Sequence, residues 1–539
     1  MRNDASARGR GAGAALAYGI IVFAILVLPT HPAAFQPASF LRLPLEMPVL
    51  ALLALLLPRG LSRIWAGLAA VLLTLLLVLK LADLGTRSAF QRPFNPYLDL
   101  RFAADGWNLL SGTLGILPAG LAVAAAVAAI AGVAFALAHA LSRLGRLQAR
   151  RKAPIVALFA LVAAGALLVR AVPQAGVTAD LAAPAYLAAR VALVARSVED
   201  MRRFEAELAA GGGPRDGHGL FDAVKGRDVV VVFIESYGRS AVEDPRYAPR
   251  TGARLNAVDG LFRQNGIASA SAWAVSPTVG GLSWLAHGTF LSGLSVDSQA
   301  RYDRLMRSDR PSLNRLFREA GWTSVAIMPA ITLDWPEAAY YGYDRILAAR
   351  DLGYRGQPFN WVTMPDQYTL SAFERLARQP ARAAGKAVMA EIALISSHAP
   401  WTPVASLVDW EAVGDGTVFD AQARAGDPPA VVWADPARVR DQYIRTIDYS
   451  LEAVGSYVAR FHRDAVFVIL GDHQPAAIVT GPDASRAVPV HVVSADAALV
   501  GRFVDAGFAP GMTPGLETPV RPMQDLRDLV IRLFGGPAQ

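Results

Sequence analysis

The chain has 539 residues, of which 53% are hydrophobic and only 18% charged, and its formal net charge is +7. It is too long for one ordinary domain and too apolar for a protein that is soluble throughout. The lack of cysteine excludes disulfides, a thiol nucleophile and zinc–thiolate sites. The sequence shows no basic and aromatic clusters of the kind that nucleic-acid binders carry, so no nucleic acid partner is expected.

The hydrophobic residues before about residue 172 form five runs that approach the roughly 20 residues needed to cross a bilayer as a helix. Basic residues precede the first run, separate the second from the third, and separate the fourth from the fifth, which places these three segments in the cytoplasm. That alternation requires five spans and sends everything after Val172 to the outer side. Four spans remain an alternative, because the second run is short and contains Glu46, and a cleaved signal peptide is an alternative for the first. The runs are Ala12–Leu28, Leu43–Leu57, Ile64–Leu81, Leu114–Leu141 and Pro154–Val172.

Three domains follow from this pattern. Residues 1–175 are predicted as a transmembrane domain, in which a segment near 84–112 mixes charged and aromatic residues and is typical of a loop at the membrane interface. Residues 176–218 are predicted as a linker helix ended by the glycine-rich stretch GGGPRDG. Residues 219–539 are predicted as an extracytoplasmic domain.

The third domain alternates short β-rich runs with helical stretches such as Ser312–Ala320 and Val439–Arg460. This alternation predicts an α/β domain with a mainly parallel sheet. Functional groups gather beyond the carboxyl ends of the strands in such sheets. The β-rich runs are VVVVFIES, TSVAIMPA, AEIALISS and AVFVILGD.

Three of these runs end in residue types that bind metals. Glu235 follows the first, His398 a later one, and Asp472 with His473 the last. Two carboxylates and imidazoles gathered at one edge of a sheet bind a divalent cation well. The other histidines (His31, His139, His218, His462 and His491) have no partner motif and are given no role.

The stretch SPTVGGLSWLAHGTFLSGL offers a nucleophile. Gly280 and Gly281 allow an unusual turn, and Ser283 then stands where a helix begins, next to free N–H groups that would stabilise a phosphoryl group. A simple helix-capping role is the alternative for Ser283. Thr278 is the competing hydroxyl, and His287 shares the helix face of Ser283.

These motifs, in this order, resemble the lipoteichoic acid synthase and phosphoethanolamine transferase branch of the alkaline phosphatase/sulfatase superfamily. The resemblance implies an N-terminal domain of five transmembrane helices followed by an extracytoplasmic, sulfatase-like α/β domain. It also implies that Glu235, Ser283, Asp472 and His473 hold a divalent metal, Mn²⁺ or Zn²⁺ with Mg²⁺ as a further candidate. His398 and Trp335 match substrate-contacting positions, and His287 occupies a place similar to that of the sulfatase arginine. The chain departs from the family at two positions. The family typically has threonine where this chain has Ser283, and it has a basic residue after the tryptophan where this chain has Glu337 nearby.

The function implied by the resemblance is transfer of a phosphoglycerol or phosphoethanolamine headgroup from a phospholipid to a glycan or lipid of the cell envelope. The covalent intermediate would form on Ser283, with Thr278 as the alternative. The protein would be a multi-pass protein of the bacterial inner membrane with a periplasmic catalytic domain. The alternatives are a phosphodiesterase, phosphatase or sulfatase-like hydrolase, and a non-catalytic envelope assembly or sensor protein.

Overall fold

The structure, a computed structural model, describes residues 2–90, 92–100, 106–107, 110–111, 114–171, 178–515 and 517–536. The chain divides into two compact units, Met1–Ser88 with Arg92–Asp200 and Ala89–Gln91 with Met201–Gln539. The boundary at residues 200 and 201 lies inside a long helix, and the predicted domain limits at 175 and 218 stay predictions. Part of the predicted interfacial segment 84–112 lies outside the described residues.

Each of the five predicted hydrophobic runs forms a helix. Helix α2 has only 11 residues, about 16 Å in length, well short of the ~30 Å hydrocarbon core of a bilayer. Among the described residues, three helices are long and apolar enough to cross a membrane: Arg59–Phe90, Ile116–Gly145 and Lys152–Ala171. The count of five spans therefore stays a prediction. The elements up to residue 210 are α1 Arg2–Val27, β1 Arg42–Pro44, α2 Glu46–Leu56, α3 Arg59–Phe90, α4 Ile116–Gly145, α5 Ala149–Ala171, β2 Thr178–Asp180 and α6 Ala182–Ala210.

A nine-stranded sheet forms the centre of the second unit, in the order β10-β4-β9-β8-β3-β7-β5-β6, with β11 paired to β4. Strands β8, β3, β7, β5 and β6 are parallel, whereas β9 runs antiparallel to both β8 and β4. All four predicted strands are present, and the predicted α/β class is confirmed. The strands are β3 Asp228–Ile234, β4 Ala268–Val275, β5 Thr323–Met328, β6 Arg345–Ala348, β7 Val388–Leu394, β8 Ala465–Gly471, β9 Ala487–Ser494, β10 Ala509–Pro510 and β11 Val520–Pro522.

Strand β3 is buried along its whole length. Its alternate residues pack into two different hydrophobic cores, Val230, Val232 and Ile234 on one face and Val229, Val231 and Phe233 on the other. A strand whose two faces both pack into hydrophobic cores has a continuous apolar sequence, which explains the VVVVFI sequence. Its carboxyl end is where Glu235 follows.

Helices cover both faces of the sheet. The predicted stretches 312–320 and 439–460 correspond to α11 and α17. The helices are α7 Arg239–Glu243, α8 Ala248–Gln264, α9 Ser283–Ser292, α10 Gln299–Met306, α11 Leu313–Glu319, α12 Ala338–Tyr341, α13 Asp366–Phe373, α14 Gln379–Ala383, α15 Asp420–Ala423, α16 Pro429–Val432, α17 Pro436–Phe461, α18 Ala477–Thr480, α19 Ala497–Asp505 and α20 Asp525–Phe534, with a π-helical turn at Glu374–Arg378.

Candidate metal centre and nucleophile

Glu235, Asp472 and His473 meet at the carboxyl ends of the adjacent strands β3 and β8. Their side chains each offer one ligand atom, and these atoms lie within 4.8 Å of one another. The three residues are 8%, 1% and 1% exposed. His473 Nε2 lies 3.4 Å from Glu235 Oε1 and 3.6 Å from Asp472 Oδ2. Parallel neighbouring strands thus bring together residues that are more than 230 positions apart in sequence.

Backbone groups orient these side chains. Asp472 Oδ1 accepts hydrogen bonds from the N–H groups of Ser236 at 2.8 Å and His473 at 2.6 Å, which leaves Oδ2 toward the cluster. His473 Nδ1 lies 2.8 Å from the carbonyl oxygen of Gln474. Because a carbonyl only accepts, Nδ1 carries the proton, and a neutral His473 presents the lone pair of Nε2 to the two carboxylates.

Two hydroxyls reach this cluster. Ser236 Oγ donates to Glu235 Oε1 at 2.8 Å, and the second hydroxyl is that of Ser283. Its Oγ–H donates to Glu235 Oε2 at 3.0 Å, and its Oγ lies 3.2 Å from His473 Nε2. The residues before it, Gly280, Gly281 and Leu282, have φ values of 75°, 143° and 65°. Three consecutive positive φ angles make a sharp turn that explains the two glycines and places strain on Leu282. The turn delivers Ser283 to the first position of α9, where the helix has free N–H groups.

Thr278 occupies a different place. It is buried, and its Oγ1–H donates to the carbonyl oxygen of Gly281 at 2.8 Å. The turn is also attached to the segment after β8, because the N–H of Gly280 donates to Gln474 at 2.8 Å. Thr278 therefore stabilises the turn that presents Ser283, and its hydroxyl is not part of the cluster.

The electrostatics of the cluster favour a cation. Burial alone would raise the pKa of Glu235, but the positive charges that His473 and His398 carry when protonated bring it to about 2. Burial, followed by the negative charge of Glu235, raises the pKa of Asp472 well above its usual range. Without a cation the two carboxyls oppose each other's ionisation, whereas a divalent cation between them would let both ionise.

The donor set fits the metals that the sequence predicts. Two carboxylate oxygens and an imidazole nitrogen suit Mn²⁺ or Zn²⁺, and the Ser283 hydroxyl adds a fourth ligand atom, the third oxygen. Among the described residues, neither Glu235 nor Asp472 forms an ion pair with a lysine or arginine. The two buried carboxyls thus have no permanently charged cationic partner among the described residues.

His398 lies beside this centre on the loop after β7. Ser397 Oγ donates to the backbone oxygen of Glu235 at 2.5 Å, which ties the loop to β3. The His398 ring stacks on Trp361 at 4.1 Å between centroids, and its Nδ1 lies 2.6 Å from the carbonyl oxygen of Ala399. As in His473, the carbonyl partner leaves Nε2 as the nitrogen that can act on a ligand.

The loop that carries His398 depends on a residue that the sequence analysis missed. Asp366 Oδ1 accepts from the N–H groups of Ile395 at 3.0 Å and Ser396 at 2.9 Å, and its Oδ2 accepts from Ser450. Burial raises the pKa of Asp366. No local motif marks this residue, because its partners are at least 29 positions away.

The remaining predicted positions, His287 and Trp335, are connected through residues that the sequence analysis also missed. His287 Nδ1 lies 2.7 Å from Glu391 Oε1, and Tyr343 OH donates to Glu391 Oε2 at 2.5 Å. The Trp335 ring is 6.1 Å from that of Tyr343. One signal for Glu391 was visible: it is the single charged residue inside the otherwise apolar run AEIALISS.

No protein-family model matches the chain, and neither does any curated protein. Solved structures similar to the chain include the lipoteichoic acid synthase LtaP from Listeria monocytogenes, with 14% identity and a TM-score of 0.38 over 58% of this chain and 73% of that one. The C-terminal periplasmic domain of EptC from Escherichia coli has 15% identity and a TM-score of 0.37, over 57% of this chain and 82% of that one. The Streptococcus pyogenes phosphoglycerol transferase GacH, in complex with sn-glycerol-1-phosphate, has 10% identity and a TM-score of 0.38, over 63% of this chain and 80% of that one.

By their names, LtaP and GacH belong to the group of enzymes that the motifs of this chain resemble. The similarity to these structures has low sequence identity and TM-scores below 0.5.

Proposed function

We propose that the chain is a membrane-anchored, metal-dependent transferase of phospho-headgroups that uses Ser283 as nucleophile. The observation that supports this most directly is the pair of contacts from Ser283 Oγ to Glu235 and His473, within a buried cluster that fits a divalent cation. The donor in this proposal is a phospholipid with a phosphoglycerol or phosphoethanolamine headgroup. The acceptor is a glycan or glycolipid of the cell envelope.

Glu235, Asp472, His473 and Ser283 would hold the cation. When bound, it would polarise a phosphoryl oxygen and favour the ionised form of the serine hydroxyl. Ser283 releases its hydroxyl proton to the solvent, its Oγ attacks the phosphorus of the diester, and the bond from phosphorus to the diacylglycerol oxygen breaks. His398 donates a proton to that oxygen, so diacylglycerol leaves as a neutral alcohol.

In the second step the hydroxyl of the acceptor attacks the phosphoserine, and His398 takes up its proton. The bond from phosphorus to Ser283 Oγ breaks, and Ser283 regains the proton that it lost in the first step. The acceptor then carries the phospho-headgroup. Water in place of the acceptor would give hydrolysis, so the same residues support a phosphodiesterase as the alternative.

The orientation in this proposal follows from the basic segments before and between the hydrophobic runs, which place the second unit outside the cytoplasm. A phospholipid donor explains why such a unit is joined to apolar helices. The three helices that are long enough to cross a membrane support the anchoring, and the fourth and fifth spans are part of the proposal.

The test places the full-length protein in vesicles with Mn²⁺ and fluorescent phosphatidylglycerol or phosphatidylethanolamine, and follows diacylglycerol release. We expect Ser283→Ala to lower release by about 10³-fold or more, because it removes the attacking oxygen. Ser283→Thr keeps a hydroxyl and is the matched control. The lipid that is consumed identifies the donor.

Thr278→Ala separates the two candidate hydroxyls. We expect it to retain turnover with a partial loss, because Thr278 only stabilises the turn through Gly281. Abolished release in Thr278→Ala with retained release in Ser283→Ala would transfer the nucleophile role to Thr278. No release from either lipid by protein that holds manganese would overturn the phospholipid donor.

A further inference from the structure

Glu391 is a buried carboxylate in the middle of β7, only 1% exposed. It accepts three hydrogen bonds, from His287 Nδ1 at 2.7 Å, Asn314 Nδ2 at 2.9 Å and Tyr343 OH at 2.5 Å. Burying a carboxylate is costly unless it is paired and hydrogen-bonded. Within the described residues, His287 is the only side chain able to carry positive charge that pairs with it.

Strand register shows where this pair lies relative to the metal centre. Glu391 is level with Val231 of the parallel strand β3. Because side chains alternate along a strand, Phe233 and then Glu235 follow on the same face, each about 7 Å further toward the carboxyl end. The His287 ring stacks on Phe233, with centroids 3.8 Å apart and planes at 17°. Glu391, the imidazole and Glu235 thus succeed one another along one face of the sheet.

The ring orientation follows from the same contacts. Nδ1 and Nε2 lie on opposite sides of an imidazole, so the bond from Nδ1 to Glu391 places Nε2 on the side away from Glu391, toward the Glu235 end. In the part of the chain that the structure describes, Nε2 has no hydrogen-bond partner, and the side chain keeps 11% of its surface exposed. His287 also lies one helical turn after Ser283, a spacing that places two side chains on one face about 5–6 Å apart.

We propose that Glu391 is a positioning residue for His287, and that it fixes the imidazole so that Nε2 contacts a phosphoryl oxygen of the ligand held at Ser283. The proposal deepens the proposed function and rests on it for the chemical class of the ligand, a phosphate ester. Asn314 and Tyr343 hold the carboxylate in place from the other side. Because the Tyr343 ring also lies 6.1 Å from that of Trp335, the same carboxylate connects the predicted substrate tryptophan with the helix of the nucleophile.

The test uses the full-length, manganese-loaded protein in detergent and two readouts. One is hydrolysis of the phosphodiester bis(p-nitrophenyl) phosphate, and the other is the affinity for inorganic phosphate measured by calorimetry. We expect His287→Ala to lower hydrolysis by about 100-fold and Glu391→Gln by about 10-fold. The affinity for phosphate should also fall more in His287→Ala than in Glu391→Gln, and both variants should bind as much manganese as the wild type.

The decisive comparison is the double variant. If Glu391 acts through His287, then His287→Ala combined with Glu391→Gln is no worse than His287→Ala alone in either readout. Losses that multiply in the double variant would show a separate structural role and overturn the proposal. Glu391→Gln that equals the wild type in both readouts would overturn it as well.

Tyr343→Phe keeps the proposal testable if Glu391→Gln does not fold. It removes one donor to Glu391 without changing the shape of the ring, and we expect a loss of about 5-fold that disappears in the His287→Ala background. A loss that persists there would contradict the proposal.

The two readouts also separate this inference from the proposed function. Wild-type protein that binds phosphate but neither hydrolyses the diester nor releases diacylglycerol in vesicles would overturn phosphotransfer, and phosphate affinity would then decide the role of Glu391. Wild-type protein that does neither would overturn both.

Discussion

Strand β3 carries a buried charged cluster at each end, and the two clusters differ in how their charge is balanced. Asp228 begins the strand and Glu235 follows it. At the first end, Asp228 Oδ2 accepts from Arg378 Nε at 2.6 Å, and Asp228 Oδ1 accepts from the N–H of Val388 at 2.9 Å. At the second end, among the described residues, His473 is the only side chain able to carry positive charge that pairs with Glu235 and Asp472.

The Arg378 end is complete within the protein. Its guanidinium is 1% exposed and also donates to Glu374 Oε2 at 3.3 Å and to the carbonyl oxygens of Phe461 at 2.5 Å and Arg463 at 2.9 Å. Glu374 in turn accepts from Tyr457 OH. Arg382 Nη2 also lies 3.8 Å from Asp228 Oδ2, so two guanidinium groups face the two carboxylates there, and the donors of Arg378 have acceptors.

The balance of charge distinguishes a structural cluster from a binding cluster at the two ends of β3. Both ends bury carboxylates on the same strand, so burial and conspicuous charge alone do not separate them. The end that lacks a fixed cation is the end at which the Ser283 hydroxyl also lies. The absent charge, more than the buried carboxylates, indicates a ligand.

The largest effect is expected at the Glu235 end. Asp472→Asn removes one of two carboxylates that would hold the cation, so we expect manganese affinity and diester hydrolysis to fall together, the latter by about 10³-fold. In metal-free protein the same change should not lower the free energy of unfolding, since asparagine keeps an oxygen for the N–H groups of Ser236 and His473 and cannot ionise beside Glu235. Manganese calorimetry and denaturant unfolding in EDTA measure both.

An Asp472→Asn variant that bound manganese as the wild type does would show that the cluster is not the metal centre. One that was strongly destabilised without metal would show that Glu235 and Asp472 are balanced within the protein, as Asp228 is.

Arg378→Met tests the opposite end. It leaves Asp228 and Glu374 buried without the guanidinium that donates to both, so we expect the free energy of unfolding to fall by about 3–5 kcal/mol. Manganese affinity should stay at the wild-type value, because Arg378 contacts none of the cluster residues. Denaturant unfolding and manganese calorimetry of the same preparation check both expectations.

Asp228→Asn combined with Arg378→Met is the control for this prediction. Asparagine keeps an oxygen for the N–H of Val388 and removes the unpaired charge, so part of the lost stability should return. No recovery would mean that Arg378 acts through packing and not through charge.

Sequence patterns predicted the residues whose signal is local. Glu235, Asp472 and His473 each stand directly after an apolar run, and Ser283 follows two glycines. Strands β4 and β9 were not predicted. The first, ASASAWAV, consists largely of small residues with weak strand preference, and the second contains Pro489 and His491.

Sequence patterns also do not identify residues that act through partners distant in the sequence. Glu391 is conspicuous inside an apolar strand, but its partners are 48 to 104 positions away. Only the register of β3 and β7 brings Glu391 level with Val231, on the face of the sheet that leads to Glu235. The second hydrophobic run is a different case, since its helix ends at Leu56, shortly before Pro58, after 11 residues.

The smallest expected effect concerns His491, a buried imidazole that has no carboxylate partner among the described residues. Its Nδ1 lies 2.7 Å from Ser271 Oγ, its Nε2 lies 3.2 Å from Tyr237 OH, and burial lowers its pKa to about 3. The folded protein therefore keeps His491 neutral down to about pH 3, whereas the unfolded chain takes up a proton below about pH 6.5. Between these values acid favours the unfolded state, by about 2 kcal/mol at pH 5.

His491→Gln removes this proton uptake. The replacement has its own cost to stability, but that cost does not change with pH. We therefore expect the difference in the free energy of unfolding between wild type and variant, measured by denaturant titration in EDTA, to shrink by about 2 kcal/mol from pH 7.5 to pH 5. If this difference in the free energy of unfolding is the same at both pH values, His491 is protonated in the folded protein at pH 5. Burial without a carboxylate partner would then not be enough to keep this imidazole neutral.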